Sequence, residues 1–263
     1  MNTDRAAGMP SHASSLLRAL HAESLKLRGT LVLWMSVVAP GLVGLVVVLQ
    51  LLVNPPNAAL QPLEAWTRLC YGMLGLWAFL MLPLFVTLEA ALLAALEHGG
   101  QKWRHLLALP LRREAYYLAK LIMLAALLAI AHLCFFLLLP IGGWLLAAFQ
   151  PKLGIAGPPP WPLLAMTAGK IFAASLLIVA LHTWIALRWR SFAVACGIGM
   201  GMTVMGFLIG QSKTFGPWYP WSLPVSMLSQ SQDHLPQVLM LSIGGALLVT
   251  ALGLWEFRRA EYP

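Results

Sequence analysis

The chain has 263 residues, of which 60% are hydrophobic and only 10% charged, with a formal net charge of +8. Soluble domains carry roughly 25% charged residues, so the composition excludes a water-soluble globular protein and points to an integral membrane protein. Cys70, Cys134 and Cys196 are isolated, in or beside apolar runs, which excludes a disulfide framework and a zinc-binding spacing.

Residues 1–13 are polar and are expected to form a flexible N-terminus. Over 14–30 the sequence SSLLRALHAESLKLRGT places Leu17, Leu20, Ser24 and Leu27 along one side at helical spacing, with Arg18, Lys26 and Arg28 in reach of headgroups. This predicts an interfacial amphipathic helix on the cytoplasmic leaflet; the alternative is a charged flank that orients the first span. Six runs without Asp, Glu, Lys or Arg follow: Gly29 to Leu63, Leu69 to Leu88, Leu121 to Pro151, Ile171 to Leu187, Ser191 to Ser212 and Leu235 to Trp255. Each is near or above the roughly 17 to 25 residues that cross a bilayer core. They are continuously apolar where barrel strands would alternate. The expected fold is therefore an all-α integral membrane protein, with a transmembrane domain over 31–257. Its spans lie near 31–52, 70–96, 116–148, 163–187, 192–210 and 237–257, and 258–263 forms a tail.

Basic residues sort to one side of these spans. Arg5, Arg18, Lys26, Arg28, Lys102, Arg104, Arg112, Arg113, Lys120, Arg188, Arg190, Arg258 and Arg259 face Arg68, Lys152 and Lys213, with Lys170 near the outer end of span four. The positive-inside rule makes the richer side cytoplasmic and places both termini there. Trp144, Trp161, Trp218, Tyr219 and Trp221 fall where an outer aromatic belt belongs. The positive charge thus follows membrane orientation, and nucleic acid is not an expected partner.

Pro40, Pro83 and Pro140 lie inside spans, where each removes a backbone hydrogen bond. In span five Ala193, Gly197 and Gly201 are spaced four apart, and Gly206 and Gly210 repeat the interval, which suits close helix packing and a dimer interface. The outer segment 211–237 carries FGPWYPWSLP, suited to an interfacial or re-entrant course.

No catalytic site emerges: HExxH, CxxC and GxSxG are absent. Ala168-Gly169-Lys170-Ile171 resembles the end of a phosphate-binding loop but lacks its upstream glycine, at Leu164, and its hydroxyl, at Ile171. Glu89, His132 and His182 are titratable side chains well inside the spans. Glu89 is expected to pair with His182 or Lys120, to snorkel, or to carry protons through an ion-coupled pathway.

The stretch EHGGQKWRHLLALPLRREAYYLAK, Glu97 to Lys120, joins spans two and three. Gly99-Gly100 breaks the preceding helix. Gln101 to Leu109 then suits a short helix with Trp103, Leu106 and Leu107 on one side and Lys102, Arg104 and His105 available to polar partners. Pro110 stops it, Arg112-Arg113 lie at the membrane surface, and Tyr116, Tyr117 and Lys120 anchor span three.

This pattern resembles the type-2 ABC exporter permeases, or ABC-2 permeases, whose corresponding loop is matched here by Glu97, Gly99, Trp103, Leu106-Leu107, Pro110, Arg112-Arg113 and Lys120. The six spans, the pre-span segment with Glu23 and Lys26, the proline-aromatic outer loop and the basic tail are consistent with it. The resemblance implies a transmembrane subunit working with a second permease copy or a paralogous permease and with two copies of a separate ABC ATPase. Gln101 to Leu109 would then be a coupling helix seated on that ATPase, with ATP and Mg²⁺ held by the partner chain and none in this one. It further implies multi-pass residence in a bacterial inner membrane and export of an amphipathic or hydrophobic substrate, in outline closest to bacteriocin, lantibiotic or bacitracin resistance. A proton-driven secondary transporter using Glu89, His132 and His182, and a non-transporting membrane scaffold or sensor, are the competing readings.

Overall fold

The computed structural model describes residues 12–56, 58–98, 113–189, 191–212, 214–229 and 235–259. The described residues are helical with short connections. An N-terminal helix, His12–Leu27, precedes six helices long and apolar enough to cross a membrane: Leu31–Val53, Pro62–Leu96, Glu114–Phe149, Trp161–Arg188, Phe192–Gly210 and Leu235–Arg259, spans one to six below.

Span two starts eight residues before the expected boundary near 70. Pro62 suits the first helical turn because its missing N–H has no intrahelical partner there, and Glu64 complements the positive end of the helix. Helix geometry therefore runs on past the end of the apolar run and carries Arg68 with it. Midway, Trp77–Met81 form a π-helical turn, with the Leu82 N–H bonded to the Trp77 carbonyl five residues back. Pro83 follows at once. A proline ring crowds the carbonyl four residues before it, here that of Phe79, and the widened turn makes room.

Spans two, three and four enclose the core, where Trp66, Trp77, Leu69 and Phe135 are fully buried. Trp66 packs against span three where a Cβ on Gly143 would collide with its ring, and its indole donates to the Ala156 carbonyl at 3.1 Å. Span six packs on span four through Ser242, which donates to Ala173 O at 2.9 Å and accepts from Leu177 N at 3.3 Å. At its far end Glu256 receives Arg188 at 2.6 Å and the Trp184 indole at 2.7 Å, while Arg258 reaches Glu114 at 2.8 Å. Tyr117, expected as a surface anchor, is instead buried beside Gly253 and Phe257.

Between spans five and six, short helical turns at Gly216–Trp218, Pro220–Ser222 and Leu223–Ser226 fold back along span five. Gly206 and Gly210 admit them, facing Trp221 Cβ and Ser222 Cβ, and the Tyr219 hydroxyl donates to the Met202 carbonyl at 2.9 Å. Trp221 is therefore no belt residue. It is buried, with its ring edge-on to His182 at 5.7 Å, whereas Trp144 and Trp218 remain exposed.

Candidate functional site

A buried polar cluster forms where the N-terminal helix meets span three. That helix buries Ser15, Ala19, Glu23 and Leu27, each four residues from the last, and leaves Leu17 and Ser24 exposed. The expected Leu17, Leu20, Ser24 and Leu27 face is thus rotated. Size and charge decide the outcome: Ala19 packs close against Ala115 and Ala119 with Leu16 and Leu20 beside it, and Glu23 meets a buried lysine. Glu23 Oε1 accepts from Lys26 at 2.7 Å and Oε2 from Lys120 at 3.0 Å. Lys120 also donates to the Leu93 carbonyl in span two at 3.0 Å, and both lysines lie over the Tyr116 ring, 5.5 and 5.3 Å from its centre. One lysine, 3% exposed, therefore ties three elements together.

The intramembrane groups do not form one relay. His132 donates from Nδ1 to the Leu128 carbonyl at 2.8 Å and receives the donor-only indole of Trp77 at Nε2, 3.4 Å away, an arrangement that fits the neutral ring. His182 Nε2 lies 3.2 Å from the Thr87 hydroxyl, which itself donates to Pro83 O at 2.8 Å. The hydroxyl proton is thereby committed, and His182 is the donor. Glu89 pairs with neither expected partner. Two residues from Thr87 on a helix, it points about 200° away from the His182 side, and Lys120 bonds to Glu23. Glu89 is fully buried, and neither carboxyl oxygen has a hydrogen-bond partner among the described residues.

Of the residues singled out in the connector, Gln101, Lys102, Trp103, Arg104, Leu106, Leu107, Pro110 and Arg112 lie outside the described residues. Glu97 falls in the last turn of the helix before it and Arg113 opens the helix after it. The Lys120 to Leu93 bond holds these two helices together beside the connector. In span five, Ala193, Gly197 and Gly201 are exposed, and a Cβ on either glycine would meet nothing within 4 Å. Packing inside the chain uses Gly199 instead, whose Cβ would collide with Thr87. No group of His, Cys, Asp and Glu among the described residues is arranged to hold a metal.

At the other end of the bundle a cavity of about 740 Å³ lies between spans four, five and six and the folded-back turns. Its lining includes Lys170, Ser212, Ser222 and Ser226 together with Val225 and Leu228. Its size is in the range that holds a small amphipathic molecule.

Sequence reasoning missed the Glu23 to Lys120 pair, although a signal was present. The four-residue stripe Ser15, Ala19, Glu23 holds two small residues and one acid, a pattern for close packing around a buried charge. Thr87 and Trp77 carried no such signal, because each is an ordinary residue of an apolar span until folding brings a histidine to it.

No curated protein and no solved structure matches the chain. A family model described as ABC-2 family transporter protein matches residues 19–206, from within the N-terminal helix to the C-terminal part of span five. That covers well over half of the sequence and five of the six spans, so the chain belongs to the ABC-2 family of membrane transporter subunits.

Proposed function

We propose that this chain is the transmembrane subunit of an ABC exporter. It receives the work of a separate ATPase through Gln101 to Leu109 and moves an amphipathic or hydrophobic substrate, of the peptide-antibiotic or lipid class, out of a bacterial inner membrane. Within the family frame, the observation that carries this reading is the anchoring of the connector. Residues 99–112 are flanked by helices that Lys120 joins through Leu93 O at 3.0 Å, so a force applied there acts on spans two and three together. ATP and Mg²⁺ belong to the partner ATPase, of which two copies are expected. A second permease copy, or a paralogue, is expected on the exposed Ala193, Gly197 and Gly201 face, because small residues allow backbones to approach closely there. The basic side of the bundle faces the cytosol with both termini.

The test is co-purification and reconstitution with the ABC ATPase. Trp103→Ala and Arg104→Glu are expected to reduce assembly and to abolish stimulation of ATP hydrolysis by the permease. If both variants, and deletion of 101–109, assembled and stimulated as the native chain does, the coupling assignment would be wrong.

One observation favours a second reading. A carboxyl group that is buried with no hydrogen-bond partner among the described residues, as that of Glu89 is, is a feature of proton pathways. A Glu89-driven transporter would work without any ATPase and lose proton coupling in Glu89→Gln.

A further inference from the structure

Lys120 and Glu23 are buried at 3% and 1% exposure in a region where a lone charge is costly. They are also placed with respect to the connector in a way that simple fold maintenance does not require. Leu93, whose carbonyl accepts from Lys120, lies six positions before residue 99, and Lys120 lies eight positions after residue 112. Glu23 then draws the N-terminal helix onto the same ammonium, and the Ala19, Ala115 and Ala119 contact seats it closely. On the other side of that helix the link to span one is slight. Gly29 has φ +73°, with open space around the position of a Cβ, and among the described residues the hydrogen bonds of 28–30 are local turn bonds back to Leu25 and Leu27.

We propose that Glu23 and Lys120 are positioning residues that make the N-terminal helix, the last turns of span two and the first turns of span three one rigid body, with Arg28 to Thr30 as its joint to span one. A displacement of the connector then carries the N-terminal helix with it and reaches span one through Gly29. The claim that this body transmits ATPase motion rests on the exporter reading above; the claim that it is rigid stands on the contacts alone.

The experiment uses the full chain in liposomes with Cys70, Cys134 and Cys196 replaced, and paired spin labels at exposed sites. Leu17→Cys with Ile122→Cys measures across the clamp, and Leu17→Cys with Leu33→Cys measures across the joint. The first distance distribution is expected to be narrow and the second broad. Adding the ATPase and nucleotide should shift the second and leave the first in place. Glu23→Gln/Lys120→Gln, which removes both charges and leaves no buried ion of the pair behind, should broaden the 17 to 122 distribution. It should also lower export per ATP hydrolysed several-fold while the complex still assembles; Lys120→Arg should preserve both.

Rigidity is overturned if the 17 to 122 distribution is as broad as the 17 to 33 one, or if the double variant leaves it unchanged. Transmission is overturned if the distribution broadens and export per ATP stays at the native level. If the native chain fails to engage the ATPase at all, the exporter reading has failed, and the label distances by themselves decide the rigid body.

Discussion

Glu23 and Lys120 show what a buried ion pair needs in order to persist. Both Glu23 oxygens accept from lysines, and Lys120 gains a carbonyl besides. Removing Lys120 leaves the buried Glu23 with the partly exposed Lys26 alone, and breaking a buried pair by removing one partner costs about 3–5 kcal/mol in soluble proteins. Lys120→Met is therefore expected to destabilise the chain by about that amount, and Glu23→Gln/Lys120→Gln by clearly less, read from thermal unfolding in detergent. Equal losses would show that each residue acts through packing alone. Glu89 is the opposite case, a buried carboxyl group whose oxygens make no hydrogen bond among the described residues. Glu89→Gln keeps the shape and removes the ionisable group, so the unfolding midpoint should stay level or rise. ATP-driven export should be unchanged; loss of transport together with its pH dependence would favour the ion-coupled reading. The sequence marked Glu89, His132 and His182 as unusual because charge and imidazole are rare in apolar spans. It did not reveal the partners of the two histidines, since Thr87 and Trp77 are unremarkable until span four and span three come alongside.

Among the elements, span five separates two uses of glycine that look identical as a repeat. Gly199 sits where any Cβ would strike Thr87 and His182, and Gly206 where it would press on Trp221. Gly197 and Gly201 face open space. Gly199→Leu should lower the stability of the single chain by about 1–3 kcal/mol or more, through overpacking. Gly197→Leu should leave that stability unchanged and reduce the dimer fraction counted by single-molecule photobleaching in liposomes. A dimer fraction insensitive to Gly197→Leu would move the proposed subunit contact elsewhere. Span two carries the other element-scale lesson. Its apolar run begins at Leu69, yet the helix begins at Pro62, because helix formation responds to end chemistry and backbone hydrogen bonding as well as to hydropathy.

For the whole molecule, orientation is the property on which the exporter reading depends. Ala58→Cys in the loop before span two and Ala22→Cys on the N-terminal helix, each in a cysteine-free background, test it directly. A membrane-impermeant maleimide is expected to label Ala58→Cys on intact cells and Ala22→Cys only after permeabilisation; the reverse pattern would place the connector outside and remove it from any cytosolic ATPase. The segment 214–229 belongs to the same scale. It folds back into the bundle, its turns are closed by local backbone hydrogen bonds, residues 221–224 are buried, and Trp221 reaches the histidine of span four.

By itself the sequence determined the helical class, the number of spans and the segregation of positive charge, because these follow from summed hydropathy and from charge counts that no tertiary contact alters. Tertiary structure alone decided which face of the N-terminal helix is buried, which glycines pack inside the chain, and that Lys120 bonds to Glu23 while Glu89 has no hydrogen-bond partner among the described residues. Those outcomes depend on distances between segments as far apart as residues 23 and 120. One turn of helix, about 5.4 Å, is enough to exchange one partner for another, and hydropathy does not resolve a difference that small.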